Sequence, residues 1–314
     1  MIRLAHKISL SFRPRRPYSF ELTLKKPAGW SWFTPYEKWE GGVLWSGFWF
    51  EGIPIGVKAR KSGQSLSLDL YSVRKLSAGQ TASLKHLMGE SLGVDEDLSQ
   101  FYKLMRKHPM LKGVAKHLYG MREGWGMNIF SSLTLAILLQ MAPIKRSQEM
   151  WDCLIKYYGQ EIAFDGRTVR LWPDEKTIAA CQPRVLAARC RLGYRAKFLV
   201  RMARQLVAGF PGLDELAKMT PEAANDKLME LYGVGEYTAG FASPFPSFSL
   251  DVWSIKIFYP ILFGRRVPGK DPRAAIPKAN AEAIRRWGDW RGLVLVYVLN
   301  DLDYLAKEFG IPIK

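Results

Sequence analysis

The sequence predicts an α+β protein: a small N-terminal antiparallel β domain followed by a mainly α-helical body. Three observations carry this. Up to about residue 78, apolar residues fall in short aromatic, β-branched or alternating runs, a strand signal. Beyond that point the apolar period becomes helical. The chain has 314 residues, longer than the roughly 250–300 residues at which single cores stop growing, so two or three packed subdomains are expected. The boundary falls at 1–95 for the β-rich part and 96–314 for the helical body.

Strands are expected at 8–12, 18–24, 42–50, 53–59 and 65–71, separated by Lys26-Pro27-Ala28-Gly29, Glu40-Gly41-Gly42 and Lys61-Ser62-Gly63. Leu66, Leu68 and Leu70 alternate with Ser65, Ser67 and Asp69, which predicts one buried and one wet face. Helices are expected at 81–88, 98–108, 128–141, 149–158, 175–179, 183–188, 196–208, 213–219, 221–231 and 275–287. Thr220 before Pro221 reads as an N-cap with proline in the first turn, and Ser147 as a second cap. Residues 162–172 interrupt the helices. There Asp165-Gly166 between apolar flanks predicts a tight hairpin ribbon.

Lys and Arg number 46 against 29 Asp and Glu, a formal charge of +17. Such a surplus points to a polyanionic partner, nucleic acid first, against the plainer reading of a solvated basic face. Cys153, Cys181 and Cys190 are the only cysteines. No Cys-x-x-Cys pair occurs, which argues against a disulfide scaffold, a zinc ribbon or an iron–sulfur cluster and fits a reducing, intracellular compartment. His6, His86, His108 and His117 show no metal-ligand spacing. No run approaches the roughly 20 apolar residues of a membrane span, and the first residues lack a signal-peptide core.

The chemistry is concentrated in residues 228–263. An amphipathic helix ends at Leu231-Tyr232, Gly233-Val234-Gly235 turns, and Glu236-Tyr237-Thr238-Ala239 opens a second helix. Glycines permit a positive φ and let backbone approach a ligand without a Cβ between. The unpaired N–H groups at the start of the second helix suit a phosphate. Asp251 follows, sixteen positions after Gly235, just before the apolar run 252–263. Asp is a favoured N-cap; a carboxylate there is also placed to stabilise positive charge developing on a sugar.

Residues 233–239 followed by Asp251 resemble the hairpin and aspartate signature of the helix-hairpin-helix (HhH-GPD) DNA glycosylase superfamily. Leu192-Gly193-Tyr194-Arg195-Ala196-Lys197 is similar to a segment of its oxoguanine and 3-methyladenine branches. Ile137-Leu138-Leu139-Gln140 resembles the helix beside which these enzymes place an intercalating side chain. Arg286-Trp287-Gly288-Asp289-Trp290-Arg291 resembles the element before their last core helix. The matches run from about Leu98 to Leu302, and the N-terminal β domain fits the same pattern. The resemblance implies an HhH-GPD body of two helical subdomains flanking an active-site cleft.

It also implies roles. Asp251 would be catalytic. Gly233, Val234, Gly235, Gln140, Met141, Arg195 and Lys197 would meet DNA, with Met141 the wedge that fills the gap left by an everted nucleotide, although a core methionine at a helix end fits the same pattern. Lyase-active members carry lysine two residues after the second hairpin glycine; here that residue is Tyr237, and neither Lys227 nor Lys256 occupies the position, so hydrolysis by water is expected. Tyr237, with Phe241 one turn later, resembles the 3-methyladenine DNA glycosylase II branch, where aromatic faces stack on a cationic base; a core pair at i, i+4 is the plainer alternative. Leu299 would line the base pocket where branch members carry an aromatic. Backbone carbonyls of Met229, Leu231 and Val234 would hold a monovalent cation, Na+ or K+, and no other cofactor is expected.

The expected activity is therefore monofunctional excision of alkylated bases from double-stranded DNA by a monomer. Within enzymes the alternative is a glycosylase for 8-oxoguanine, hypoxanthine or uracil. From another class it is a non-catalytic binder of damaged DNA.

Overall fold

The computed structural model describes residues 1–29, 31–124, 126 and 128–312. They form two units, each assembled from three chain segments: Met1–Pro14, Ser31–Asp95 and Gly124–Phe245 in the first, and Arg15–Trp30, Glu96–Glu123 and Pro246–Lys314 in the second. The units therefore do not follow the expected division at 95/96. Apolar faces choose their partners by shape rather than by chain order, and the chain passes repeatedly from one core to the other.

Among the described residues the strands all lie in the first unit: β1 (Ile2–Arg3), β2 (His6–Phe12), β3 (Lys38–Glu40), β4 (Val43–Phe50), β5 (Ile53–Ser62), β6 (Ser65–Ser72), β7 (Glu161–Phe164) and β8 (Arg167–Arg170). Five form an antiparallel sheet in the order β2-β6-β5-β4-β3; β1, β7 and β8 form a second, with β1 parallel to β7. Asp165 and Gly166 both take positive φ, 48° and 69°, and close the expected hairpin with Phe164 opposite Arg167. Gly47 and Gly56 face each other across β4 and β5. A Cβ on Gly47 would sit 2.8 Å from Ile162 and Leu171, and one on Gly56 would sit 2.5 Å from the Phe164 ring. This glycine pair lets the small ribbon lie directly on the large sheet. Leu66, Leu68 and Leu70 are buried as expected, but so is Asp69, which accepts a 2.6 Å bond from Ser9 Oγ.

Helices Ile129–Leu139, Ile144–Tyr158, Arg195–Gly209, Pro221–Met229 and Glu236–Ala242 complete this unit around Leu133, Ile137, Leu154, Leu199, Leu228 and Ala239, all fully buried. Thr220 caps its helix as expected, accepting from Ala223 N at 3.2 Å. Ser147 does not cap: it lies inside Ile144–Tyr158, and its hydroxyl donates to Leu138 O at 2.9 Å. A disulfide joins Cys153 to Cys190, contrary to the sequence expectation. Spacing along the chain could not show that two helices bring cysteines 37 positions apart to a Cα separation of 5.4 Å. The cysteine content thus gives no support for a reducing compartment.

The second unit is helical, built on Ser99–Arg106, Pro109–His117, Ser254–Phe263, Ile276–Trp287, Arg291–Leu299 and Leu302–Phe309 around Phe101, Met105, Leu111, Phe258, Tyr297 and Leu305. Residues 18–24, expected as a strand, form a helix from Phe20 to Leu24, because Ser19 Oγ accepts from Leu22 N at 3.3 Å and caps it. Arg122 is fully buried. Its guanidinium donates to the carbonyls of Arg15 (2.9 Å) and Pro17 (2.7 Å) and lies 3.7 Å from the Glu96 carboxylate, tying this unit's first segment to its second. No helix among the described residues is long and apolar enough to cross a membrane.

Candidate functional site

In the first unit, the hairpin joins Pro221–Met229 to Glu236–Ala242. Val234 N–H donates to Leu231 O at 3.1 Å, closing the turn, and the Val234 side chain is buried against the core. Val234, expected among the residues that meet DNA, thus has its N–H engaged within the turn and its side chain in the core. The two glycines differ. Gly233 has φ +84°, and a Cβ there would lie 2.5 Å from the Phe198 ring, so the fold itself demands glycine. Gly235 has φ −111°, which any residue adopts, and its missing Cβ points into open space. The fold places no demand there, which suits close approach by a ligand.

Next to the hairpin ends the helix Ile129–Leu139. Gln140 follows as its C-cap, and Met141 takes φ +46° with 90% of its surface exposed. A core methionine is thereby excluded: the unbranched apolar side chain stands in solvent on a fixed turn. Gln140 does not reach outward. Its amide nitrogen donates to Thr238 Oγ1 at 2.9 Å and to Gly233 O at 3.3 Å, inside the hairpin. Arg195, expected at phosphates, is also turned inward. It is buried, and its guanidinium donates to Ile137 O at 3.2 Å and to Gln140 O. A helix end has unpaired carbonyls, and burying a guanidinium requires partners for its donors; here each supplies the other. Lys197 is exposed. Arg201, one turn further on, stacks 4.5 Å from the Tyr232 ring centroid, so the two cations edge the hairpin.

Tyr237 is half-buried and Phe241 is 40% exposed. Their centroids lie 6.5 Å apart with ring planes inclined by 43°. Phe241 is thus not a core residue, and the pair presents aromatic surface beside the hairpin. Lys227 is engaged by Glu230 at 2.7 Å. The carbonyl of Leu231 accepts one N–H, from Val234, and a carbonyl has a second lone pair. Among the described residues no group of His, Cys, Asp or Glu is arranged to hold a metal.

The second unit carries Asp251 and Leu299. Asp251 Oδ1 accepts from Ser254 N (2.7 Å), Ser254 Oγ (2.6 Å) and Trp253 N (3.1 Å), while its own N–H donates to Ser254 Oγ at 2.7 Å. Its carbonyl accepts from Ile255 N at 3.0 Å. Asp251 thus caps the turn that leads into Ser254–Phe263, two positions ahead of Trp253, whose own side chain makes no capping bond, but the cap uses only one carboxylate oxygen; Oδ2 carries none of these bonds. The carboxylate is held rigidly by Oδ1 and keeps a second oxygen for other work. Sequence reasoning missed Ser254, although Asp-x-x-Ser before an apolar run is a reciprocal cap signal. It also missed Thr238, whose partner lies 98 positions away. Leu299 is half-buried at the end of Arg291–Leu299.

No protein-family model matches the chain. The DNA-3-methyladenine glycosylase of Bacillus subtilis is 25% identical over 218 residues, covering 67% of this chain and 69% of that protein. The 3-methyladenine DNA glycosylase of Archaeoglobus fulgidus superposes with a TM-score of 0.71 over 96% of this chain and all of that one, at 18% identity. The Clostridium acetobutylicum 8-oxoguanine glycosylase/lyase, in its apo form, gives 0.68 over 96% and 98%, at 17% identity.

Proposed function

We propose that this chain, which resembles the helix-hairpin-helix DNA glycosylases and shares 25% identity with the Bacillus subtilis DNA-3-methyladenine glycosylase, is a monofunctional DNA glycosylase that everts alkylated bases of the 3-methyladenine kind and excises them by hydrolysis. One observation carries the reading. Where lyase-active members place a lysine amine, this chain places Tyr237, half-buried and paired with the exposed Phe241. A phenol there offers no amine for a Schiff base, and the ring adds a face on which an electron-poor, cationic base gains cation–π energy.

The chemistry follows from the same residues. The hairpin, edged by Lys197 and Arg201, grips phosphate without reading sequence. Met141 enters the stack where the damaged nucleotide leaves it. The bond between C1′ and the base nitrogen breaks with its electron pair leaving on the base, so a cationic alkylated base departs neutral. Asp251 Oδ2 stabilises the oxocarbenium that remains. Water adds at C1′ and loses its proton to the carboxylate, giving an abasic site. If the carbonyls of Met229, Leu231 and Val234 hold a monovalent cation, it adds positive charge beside the gripped phosphate.

The test is base release from duplexes carrying 3-methyladenine, 1-methyladenine, hypoxanthine, uracil or 8-oxoguanine, with alkali cleavage afterwards and borohydride trapping in parallel. Release of alkylated bases, strand breaks only after alkali and no trapped adduct are expected. Release of 8-oxoguanine instead would keep Asp251 and overturn the aromatic pocket, and a trapped adduct would overturn the monofunctional assignment. Binding without release from any duplex would favour a non-catalytic binder.

A further inference from the structure

We propose that Gln140 is a positioning residue that sets the Met141 wedge in register with the hairpin, and that Arg195 locks the turn between them. The inference rests on the wedge reading above and adds to it a mechanical link. Met141 holds φ +46°, a conformation costly for a side chain other than Gly, Asn or Asp and sustained only where the surroundings over-determine it. The surroundings are specific. Ser147 Oγ holds Leu138 O (2.9 Å), Arg195 Nε holds Ile137 O (3.2 Å), and Arg195 Nη2 holds Gln140 O. The last carbonyls of the helix are thus taken by two neighbouring helices, and the chain is delivered into the turn in one conformation.

Gln140 works in both directions from that turn. Its carbonyl belongs to the peptide bond leading into Met141 and is gripped by Arg195. Its side-chain amide donates to Gly233 O at 3.3 Å, in the hairpin turn, and to Thr238 Oγ1 at 2.9 Å, in the hairpin's second helix. Thr238 is itself buried, at 1% exposure, so the amide meets fixed partners. The apolar wedge is therefore one covalent bond from a residue bonded at two points to the element that grips phosphate. A hairpin seated on the backbone would carry Met141 to a set depth and height relative to that phosphate. The residue type matters: a glutamine offers two donors on a flexible stem, and neither a carboxylate nor an apolar isostere can donate to the Gly233 carbonyl.

The test uses the full chain with Gln140→Met, Met141→Ala and the double variant. Each is bound to a duplex with 2-aminopurine next to the lesion, whose fluorescence rises when stacking is broken. Affinity for undamaged duplex and single-turnover base release at saturating DNA are measured alongside. Gln140→Met is expected to bind undamaged duplex within about threefold of the parent while its unstacking amplitude and single-turnover rate fall by about tenfold or more, the scale on which a misplaced group costs rate. The double variant should be no worse than Met141→Ala, because both changes act through one wedge. Effects that simply add, or a loss of affinity with unstacking intact, would overturn the proposal and leave Gln140 a support of the hairpin alone. If Gln140→Met fails to fold, Thr238→Val removes one acceptor and leaves the Gly233 bond; an intermediate loss of unstacking is expected, and none would overturn the link. Unstacking does not require hydrolysis, so a protein that releases no base can still sustain or refute this coupling.

Discussion

Asp251→Asn separates the cap that Asp251 forms from the catalytic role proposed for it. The cap uses Oδ1, which accepts three bonds from Trp253 and Ser254. Asparagine keeps that oxygen and is as good a cap as aspartate, so its unfolding free energy should stay within about 0.5 kcal/mol of the parent. Asp251→Ala loses the acceptor and should cost about 1–2 kcal/mol. Catalysis runs the other way. Asparagine removes the negative charge that would face the oxocarbenium through Oδ2, and losing one preorganised electrostatic group costs about 2.7–4 kcal/mol of transition-state stabilisation, or 10²–10³ in rate. Single-turnover release of 3-methyladenine from saturating duplex measures the second effect, urea unfolding the first, and titration of undamaged duplex checks that DNA binding survives. Asparagine retaining activity within tenfold would refute the catalytic role and leave Asp251 a cap. Alanine unfolding no more easily than asparagine would refute the cap assignment.

Gly233→Ala should destabilise the chain by about 1–3 kcal/mol, since φ +84° and the Phe198 ring 2.5 Å from a built Cβ both oppose it. Gly235→Ala should fold normally yet bind duplex about tenfold more weakly, because open space lies where its Cβ would go; thermal melts and fluorescence anisotropy distinguish the two. Burial pushes the Glu37 carboxyl up to about 7 from its ordinary value near 4.5, against bonds from Phe33 and Trp32 N–H and Ser46 Oγ. A raised carboxylate value means the folded chain holds the proton more tightly. Its contribution is then full below about pH 4.5 and is lost as pH rises through about 7. The parent should lose up to about 3 kcal/mol more than Glu37→Gln between pH 4.5 and 8 in urea unfolding, and equal slopes would refute this. Arg122→Met should cost about 3–5 kcal/mol by stranding the carbonyls of Arg15 and Pro17 beside Glu96; a midpoint near the parent's would show that the buried guanidinium is dispensable.

Local physics made much of this protein legible from residue order alone. The burial of Leu66, Leu68 and Leu70, the Asp165-Gly166 turn, the Thr220 cap and the Gly233-Val234-Gly235 corner each depend on residues within a few positions, and each stands where it was expected, whereas the wet face expected opposite those leucines does not, since Asp69 is buried. Rules of the same kind would have supplied the helix that begins at Pro109, since proline in a first turn is a start signal. What only the tertiary structure decided involves partners far apart in sequence. Arg195 and Gln140 have the look of basic and polar DNA contacts, yet the first turns in to the end of a helix 55 positions away and the second to Thr238, 98 away. Cys153 and Cys190 meet because two helices pack, and the two units are stitched from alternating chain segments. A polar side chain shows in sequence only that it needs a partner. Whether water, phosphate or a distant carbonyl satisfies that need is settled when apolar faces close and the desolvated donors must find acceptors inside.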